Sequence, residues 1–153
     1  MKIFVNACNI HIGGGKVILN DLIFNTQDFS DIEFIFFVDY RFTIPNSGFN
    51  NVVYNKITKI LRWRVSNLIE SQTSKNDIVI YLTNIPPRIK HKCKTILVQS
   101  NRFIVERYTL KGFSLKTKIR IYIEKLLFFL NNKNVEYIVV QSETMFSLLK
   151  DYG

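Results

Sequence analysis

Five short runs of Ile, Val, Leu and Phe, separated by longer stretches of helical periodicity, restrict the fold of this chain more than any other feature. They are KIFVNAC (2–8), IEFIFFV (32–38), DIVIYLT (77–83), KTILVQS (94–100) and EYIVVQS (136–142). Consecutive apolar positions require burial on both faces, and strands buried on both faces belong to parallel sheets covered by helices. A further short strand is expected at NVVYN (51–55), after a loop, FTIPNSGFNN (42–51), punctuated by Pro45 and Gly48. Helices are expected from Gly15 to about Asn25, with Val17, Ile18, Leu19, Leu22 and Ile23 at helical spacing, and from about Lys56 to Gln72. In the second, Ile57, Ile60, Leu61, Val65, Leu68 and Ile69 form one apolar stripe.

The segment from Ser114 to Asn131 reads two ways, since IRIYIE alternates like a strand while Ile119, Tyr122, Ile123, Leu126, Leu127 and Leu130 repeat like a helix. The run is too long for an ordinary strand, so a helix is expected. ETMFSLLK then begins a last helix. Strands alternating with helices predict an α/β fold, a three-layer sandwich around a mainly parallel sheet, and 153 residues suit one domain spanning 1–153. No repeat or low-complexity tract interrupts it.

Ligands in such folds bind beyond the carboxyl ends of the strands, which singles out the loops at 9–15, 39–50, 84–92, 100–114 and 141–143. The first holds NIHIGGGKVILNDL (9–22), where a glycine run follows a strand and opens a helix. Unpaired N–H groups and the helix dipole favour an anion there. The run lacks the third glycine of a dinucleotide fingerprint, and Val17 stands where a Walker A loop needs Ser or Thr. Gly13, Gly14, Gly15 and Lys16 are therefore candidates for holding phosphate, against a plain tight turn. His11, two residues earlier, is a candidate ligand or acid/base group. Asn84, Asn101 and Arg102 follow strands and offer amide and guanidinium donors suited to sugar hydroxyls and phosphates. His91, set among Arg88, Lys90, Lys92 and Lys94, reads as part of a solvated basic loop.

A net charge of +9 points to anionic partners. Basic and aromatic residues interleave in KITKILRWRV and LKTKIRIYIEKLLFFL, and Trp63 beside Arg62 makes these two residues candidates for contact with an anionic membrane surface. No nucleic-acid recognition module is present. Cys8 and Cys93 form no metal-ligand pattern and read as buried thiols of a reducing compartment. The start is too short in apolar residues for a signal peptide, and nothing approaches a membrane span, so a cytoplasmic chain with peripheral membrane contact is expected. No Ser/His/Asp triad or convergent pair of glutamates can be proposed from spacing.

With NIHIGGGKVILNDL, TNIPPRIKHKCKTILVQSNRF and IVVQSETMFSLL in that order, the chain resembles the amino-terminal half of family-4 glycosyltransferases, most of all bacterial enzymes of O-antigen and capsular polysaccharide assembly. The resemblance implies a GT-B architecture of two Rossmann-like domains facing across a cleft, with no metal or other cofactor. It implies that Gly13–Gly15 and His11 line the reaction centre beside the phosphates of a nucleotide-sugar, while Asn84, Asn101, Arg102 and Gln141 border the saccharide acceptor. Transfer in the family usually retains anomeric configuration, with the leaving diphosphate stabilised electrostatically. The family's Glu-x7-Glu element of the donor-binding domain has no counterpart among the glutamates at 33, 70, 106, 124, 136 and 143. The carboxyl-terminal donor-binding domain is thus expected to be absent from these residues, which alone should lack useful activity without that domain or a donor-binding subunit.

Two functions follow as expectations. One is the acceptor-binding domain of a glycosyltransferase acting on a lipid-linked saccharide. The other is a non-enzymatic Rossmann-like domain whose basic surface takes phosphorylated ligands or a partner protein.

Overall fold

The structure, a computed structural model, describes residues 1–45, 49–106 and 110–150. Six strands, β1 (Lys2–Ala7), β2 (Glu33–Asp39), β3 (Val52–Ile57), β4 (Ile78–Tyr81), β5 (Lys94–Gln99) and β6 (Tyr137–Val140), form one sheet. Its order is β3-β2-β1-β4-β5-β6, and every neighbouring pair is parallel. This is the Rossmann-like α/β arrangement that the doubly apolar runs predict. Gly48 of the punctuated loop falls outside the described residues.

Helices cover the two faces unequally. On one face, Leu19 and Ile23 of α1 (Gly13–Asn25) pack with Val5, Ala7, Phe34, Phe36 and Val38. On the other, Val65 and Ile69 of α2 (Val65–Gln72) join Phe4, Phe37, Val79 and Leu97. The same face takes Ile104 and Val105 of α3 (Arg102–Val105), Phe128 of α4 (Leu115–Asn131) and Met145 of α5 (Glu143–Lys150). Phe4, Phe36 and Phe37 are fully buried. Removing one such ring would cost about 3–5 kcal/mol. Side chains also close the sheet's amino edge: Asp77 Oδ1 accepts from the Lys2 amide at 2.8 Å and Oδ2 from the Ser74 amide at 2.7 Å.

Two expectations need correction, and a third is met with an unexpected orientation. The helix expected from Lys56 begins only at Leu61, with a 3-10 turn over Leu61–Arg64 ahead of α2. Its first residues belong to β3 instead, where Ile57 pairs with Asp39. Ile60, Leu61 and Leu68 are exposed, so of the expected stripe only Ile57, Val65 and Ile69 are buried. Residues 102–105, expected in a loop, form α3, because Asn101 Oδ1 accepts from the Phe103 amide at 3.2 Å and caps it. Finally, α4 spans the expected residues, capped by Ser114, but its apolar stripe faces outward.

Candidate functional site

In this strand order the chain leaves β1 toward one edge of the sheet and returns at β4 to build the other. A crevice therefore opens at the carboxyl ends of β1 and β4. A cavity of ≈ 300 Å³ lies there, floored by Asn6, Cys8 and Tyr81 and walled by Thr83 and by Leu127 and Asn131 of α4. The segment before α2 supplies Lys59, Arg62 and Trp63, α2 supplies Ser66, and the segment after β4 supplies Arg88. Arg88 lies over the Trp63 ring, 4.5 Å from its centroid. Among the described residues three cations and no carboxylate line the space, so it favours an anionic or hydroxyl-rich guest over a cation.

Asp39, the last residue of β2, organises one side of this edge. Its carboxylate is fully buried and accepts from the Arg41 amide at 3.0 Å and from Arg41 Nε and Nη2 at 2.9 Å. Arg62 Nη2 donates to its Oδ2, and His11 Nδ1 stands 3.8 Å from the same oxygen, an ion-pair distance too long for a hydrogen bond. Burial opposes ionisation, but the hydrogen bonds from Arg41 and the charge of Arg62 override it and hold the carboxyl at about 2. An acid at this place in a dinucleotide-binding fold takes ribose hydroxyls. Here two guanidiniums occupy it, so it positions Arg62 at the cavity.

A second network runs beneath the Ser66 side of the cavity. Tyr81 Oη donates to Ser66 Oγ at 3.1 Å and lies 2.8 Å from His91 Nε2. His91 Nδ1 donates to Glu70 Oε2 at 2.9 Å, because a carboxylate can only accept. Burial raises the Tyr81 phenol well above its ordinary range. Burial works against the Glu70 carboxylate too, yet hydrogen bonds from His91 and the Lys92 amide leave it lowered. His91 is therefore buried and doubly bonded, a correction to the solvated loop expected from its lysine neighbours. Those lysines alternate outward, at 90, 92 and 94, while His91, Cys93 and Thr95 point inward. That alternation continues β5 backwards and was the available signal.

No family model, curated protein or solved structure matches this chain. Its site is therefore read from geometry.

Of the residues singled out by sequence, Arg62 and Trp63 reach the cavity, and His11 stands outside it beside Asp39, which holds Arg62. Arg62, expected at a membrane, is turned inward onto Asp39, while Trp63 is 61% exposed. Gly13 opens α1 with φ +70, the left-handed region where a side chain is strained. A Cβ at Gly13 or Gly14 would meet nothing within 4 Å, whereas one at Gly15 would touch Ile10 at 3.4 Å. The first turn of α1 contains no acid and no side-chain cap, and Lys16 adds a positive charge to it. This bare, cationic helix start lies at the same sheet edge without lining the cavity.

The remaining candidates are engaged locally. Asn84, at φ 61, accepts through Oδ1 from the Ser100 amide at 2.6 Å, Ser100 Oγ at 2.9 Å and the Asn101 amide at 3.0 Å, pinning the end of β5. Asn101 caps α3, and Arg102 pairs with Glu106 through Nε at 2.9 Å and Nη2 at 2.6 Å. Gln141 is exposed just beyond β6. Among the described residues no three His, Cys, Asp or Glu side chains could hold a metal ion. Asp39, Lys59, Tyr81 and Arg88 escaped the sequence reading. An acid closing an apolar strand, FIFFVD, was the one local sign of Asp39.

Proposed function

We propose that this chain is the acceptor-binding half of a retaining glycosyltransferase, which moves a sugar from a nucleotide-sugar to a lipid-linked saccharide in surface-polysaccharide synthesis. The cavity at the β1–β4 crevice carries this reading. It combines an exposed indole and guanidinium pair, Trp63 and Arg88, with amides at Asn6, Asn9 and Asn131 and with the cations Lys59 and Arg62. An aromatic face stacks on the apolar face of a sugar ring, amides bond its hydroxyls, and cations take its phosphate or carboxylate. The ordered motifs of the resemblance and the parallel fold support the same reading, with GT-B as the whole architecture.

In this scheme the start of α1, with Gly13–Gly15 and Lys16, faces the donor diphosphate, held mainly by a second domain or a donor-binding subunit. His11, beside Asp39, stands as the candidate acid/base group. No cofactor or metal enters. The acceptor is held at the cytoplasmic membrane face, and nucleic acid is not a partner.

Trp63 is the only tryptophan, so its fluorescence reports on the cavity directly. A soluble oligosaccharide diphosphate should shift or quench it saturably, and Arg88→Ala should weaken that response roughly tenfold. Binding of inorganic pyrophosphate with no added affinity from the saccharide would instead favour a non-enzymatic domain for phosphorylated ligands. No response to either would sink both.

A further inference from the structure

Helix α4 turns its apolar stripe away from the core. Its buried residues are Ile121 and Phe128. By contrast Leu115, Ile119, Tyr122, Ile123, Leu126 and Leu130 are 48–74% exposed. At 3.6 residues per turn these six fall within an arc of roughly 100°, opposite Ile121 and Phe128, over more than four turns. Scattered exposed apolar residues are ordinary, whereas a continuous stripe of this length marks a contact surface.

Charge decides what covers it. On the same projection Lys116 and Arg120 border the arc on one side and Lys118 on the other. Lys116 and Lys118 meet no carboxylate among the described residues, and Arg120 approaches Glu124 of its own helix at 3.7 Å. A two-fold dimer through the stripe would offer these cations no carboxylate, since the one acid of α4, Glu124, lies well outside the arc. An anionic bilayer suits both features, since apolar side chains enter the acyl boundary while flanking Lys and Arg stay among headgroups.

We propose that α4 lies in the headgroup region of an anionic bilayer with this stripe inward. The proposal stands apart from the glycosyltransferase reading. Leu127 and Asn131 on one flank of α4 line the cavity, so docking sets the cavity rim beside the headgroups, with Trp63 at that rim. No described helix is long and apolar enough to cross a membrane, and this contact needs none.

Sedimentation with vesicles of phosphatidylglycerol and phosphatidylcholine in equal parts tests it, with pure phosphatidylcholine as reference. The whole chain should pellet with the anionic vesicles and not with the neutral ones. Leu126→Glu should weaken binding by roughly tenfold or more, as an apolar side chain leaves the boundary. Lys116→Ala should weaken it roughly fivefold. Both positions are exposed, and unchanged circular dichroism would establish that each variant is folded. Equal binding by Leu126→Glu, or no binding by the parent chain, would overturn the proposal. So would a parent dimer that Leu126→Glu makes monomeric, which would assign the stripe to a second copy.

Discussion

Replacing Asp39 by Asn keeps the shape of the side chain and removes the charge that gathers Arg41, Arg62 and His11. The carboxyl sits at about 2 against an ordinary 3.8. At 1.36 kcal/mol per pKa unit, the ionised form contributes about 2 kcal/mol to stability at neutral pH. Between these values the unfolded chain binds more protons than the native one. This contribution is therefore fully present above about pH 4 and is lost as pH falls toward 2. The neutral amide would also leave the Arg62 guanidinium, 20% exposed, without its carboxylate, and its Nε has no hydrogen-bond partner among the described residues as it is. We expect Asp39→Asn to cost about 3 kcal/mol at pH 7, or about 10 °C in Tm for a domain of this size. Urea unfolding of both proteins from pH 7 down to pH 2 measures this. The two stability curves should converge at the acid end. A loss at pH 7 below about 0.5 kcal/mol, or a gap independent of pH, would refute the assignment of Asp39 as the charged centre of this edge.

Other consequences follow from the buried groups. His91→Ala should destabilise by about 2–3 kcal/mol in urea, because Tyr81 Oη and Glu70 both lose a partner beneath the cavity wall; a neutral substitution would show that the network is not formed. Burial pushes the Cys8 thiol up to about 12, with Arg62 opposing and Asp39 adding. Iodoacetamide at pH 8 should therefore modify native Cys8 roughly a thousandfold more slowly than a free thiol, and labelling at the free rate would contradict its burial. Trp63→Ala, at an exposed position, should abolish cavity fluorescence while leaving stability within about 0.5 kcal/mol.

The strands were legible because each is a run of apolar residues too short to be a helix and too apolar to have a wet face. Phe34 to Val38 are all buried, as IEFIFFV demands. What periodicity cannot supply is direction. The spacing of Ile119, Tyr122, Leu126 and Leu130 states that α4 has an apolar face, yet the core takes Ile121 and Phe128 from the opposite one. The same ambiguity misplaced Ile60 and Leu61, which look helical in sequence but stand exposed where β3 ends and the chain turns toward α2.

Within the candidate site, the position of loops at strand ends was legible and the partners were not. Asn84, Asn101 and Arg102 stand out in sequence by loop position, and each satisfies a neighbouring backbone group or side chain. Asp39 and Arg62 lie 23 residues apart and meet only because β2 and β3 pair in parallel and end together. His91 was hidden by its charged neighbours, whose alternation was a strand signal in a segment that looked like a basic loop.

Chemical-shift mapping of the isotope-labelled chain with a soluble oligosaccharide diphosphate tests whether the β1–β4 crevice holds the acceptor. Saturable shifts are expected at the Trp63 indole and at the amides of Asn6, Cys8, Asn9 and Thr83, around the β1–β4 crevice. Shifts gathered elsewhere, or none at millimolar ligand, would contradict that placement of the acceptor.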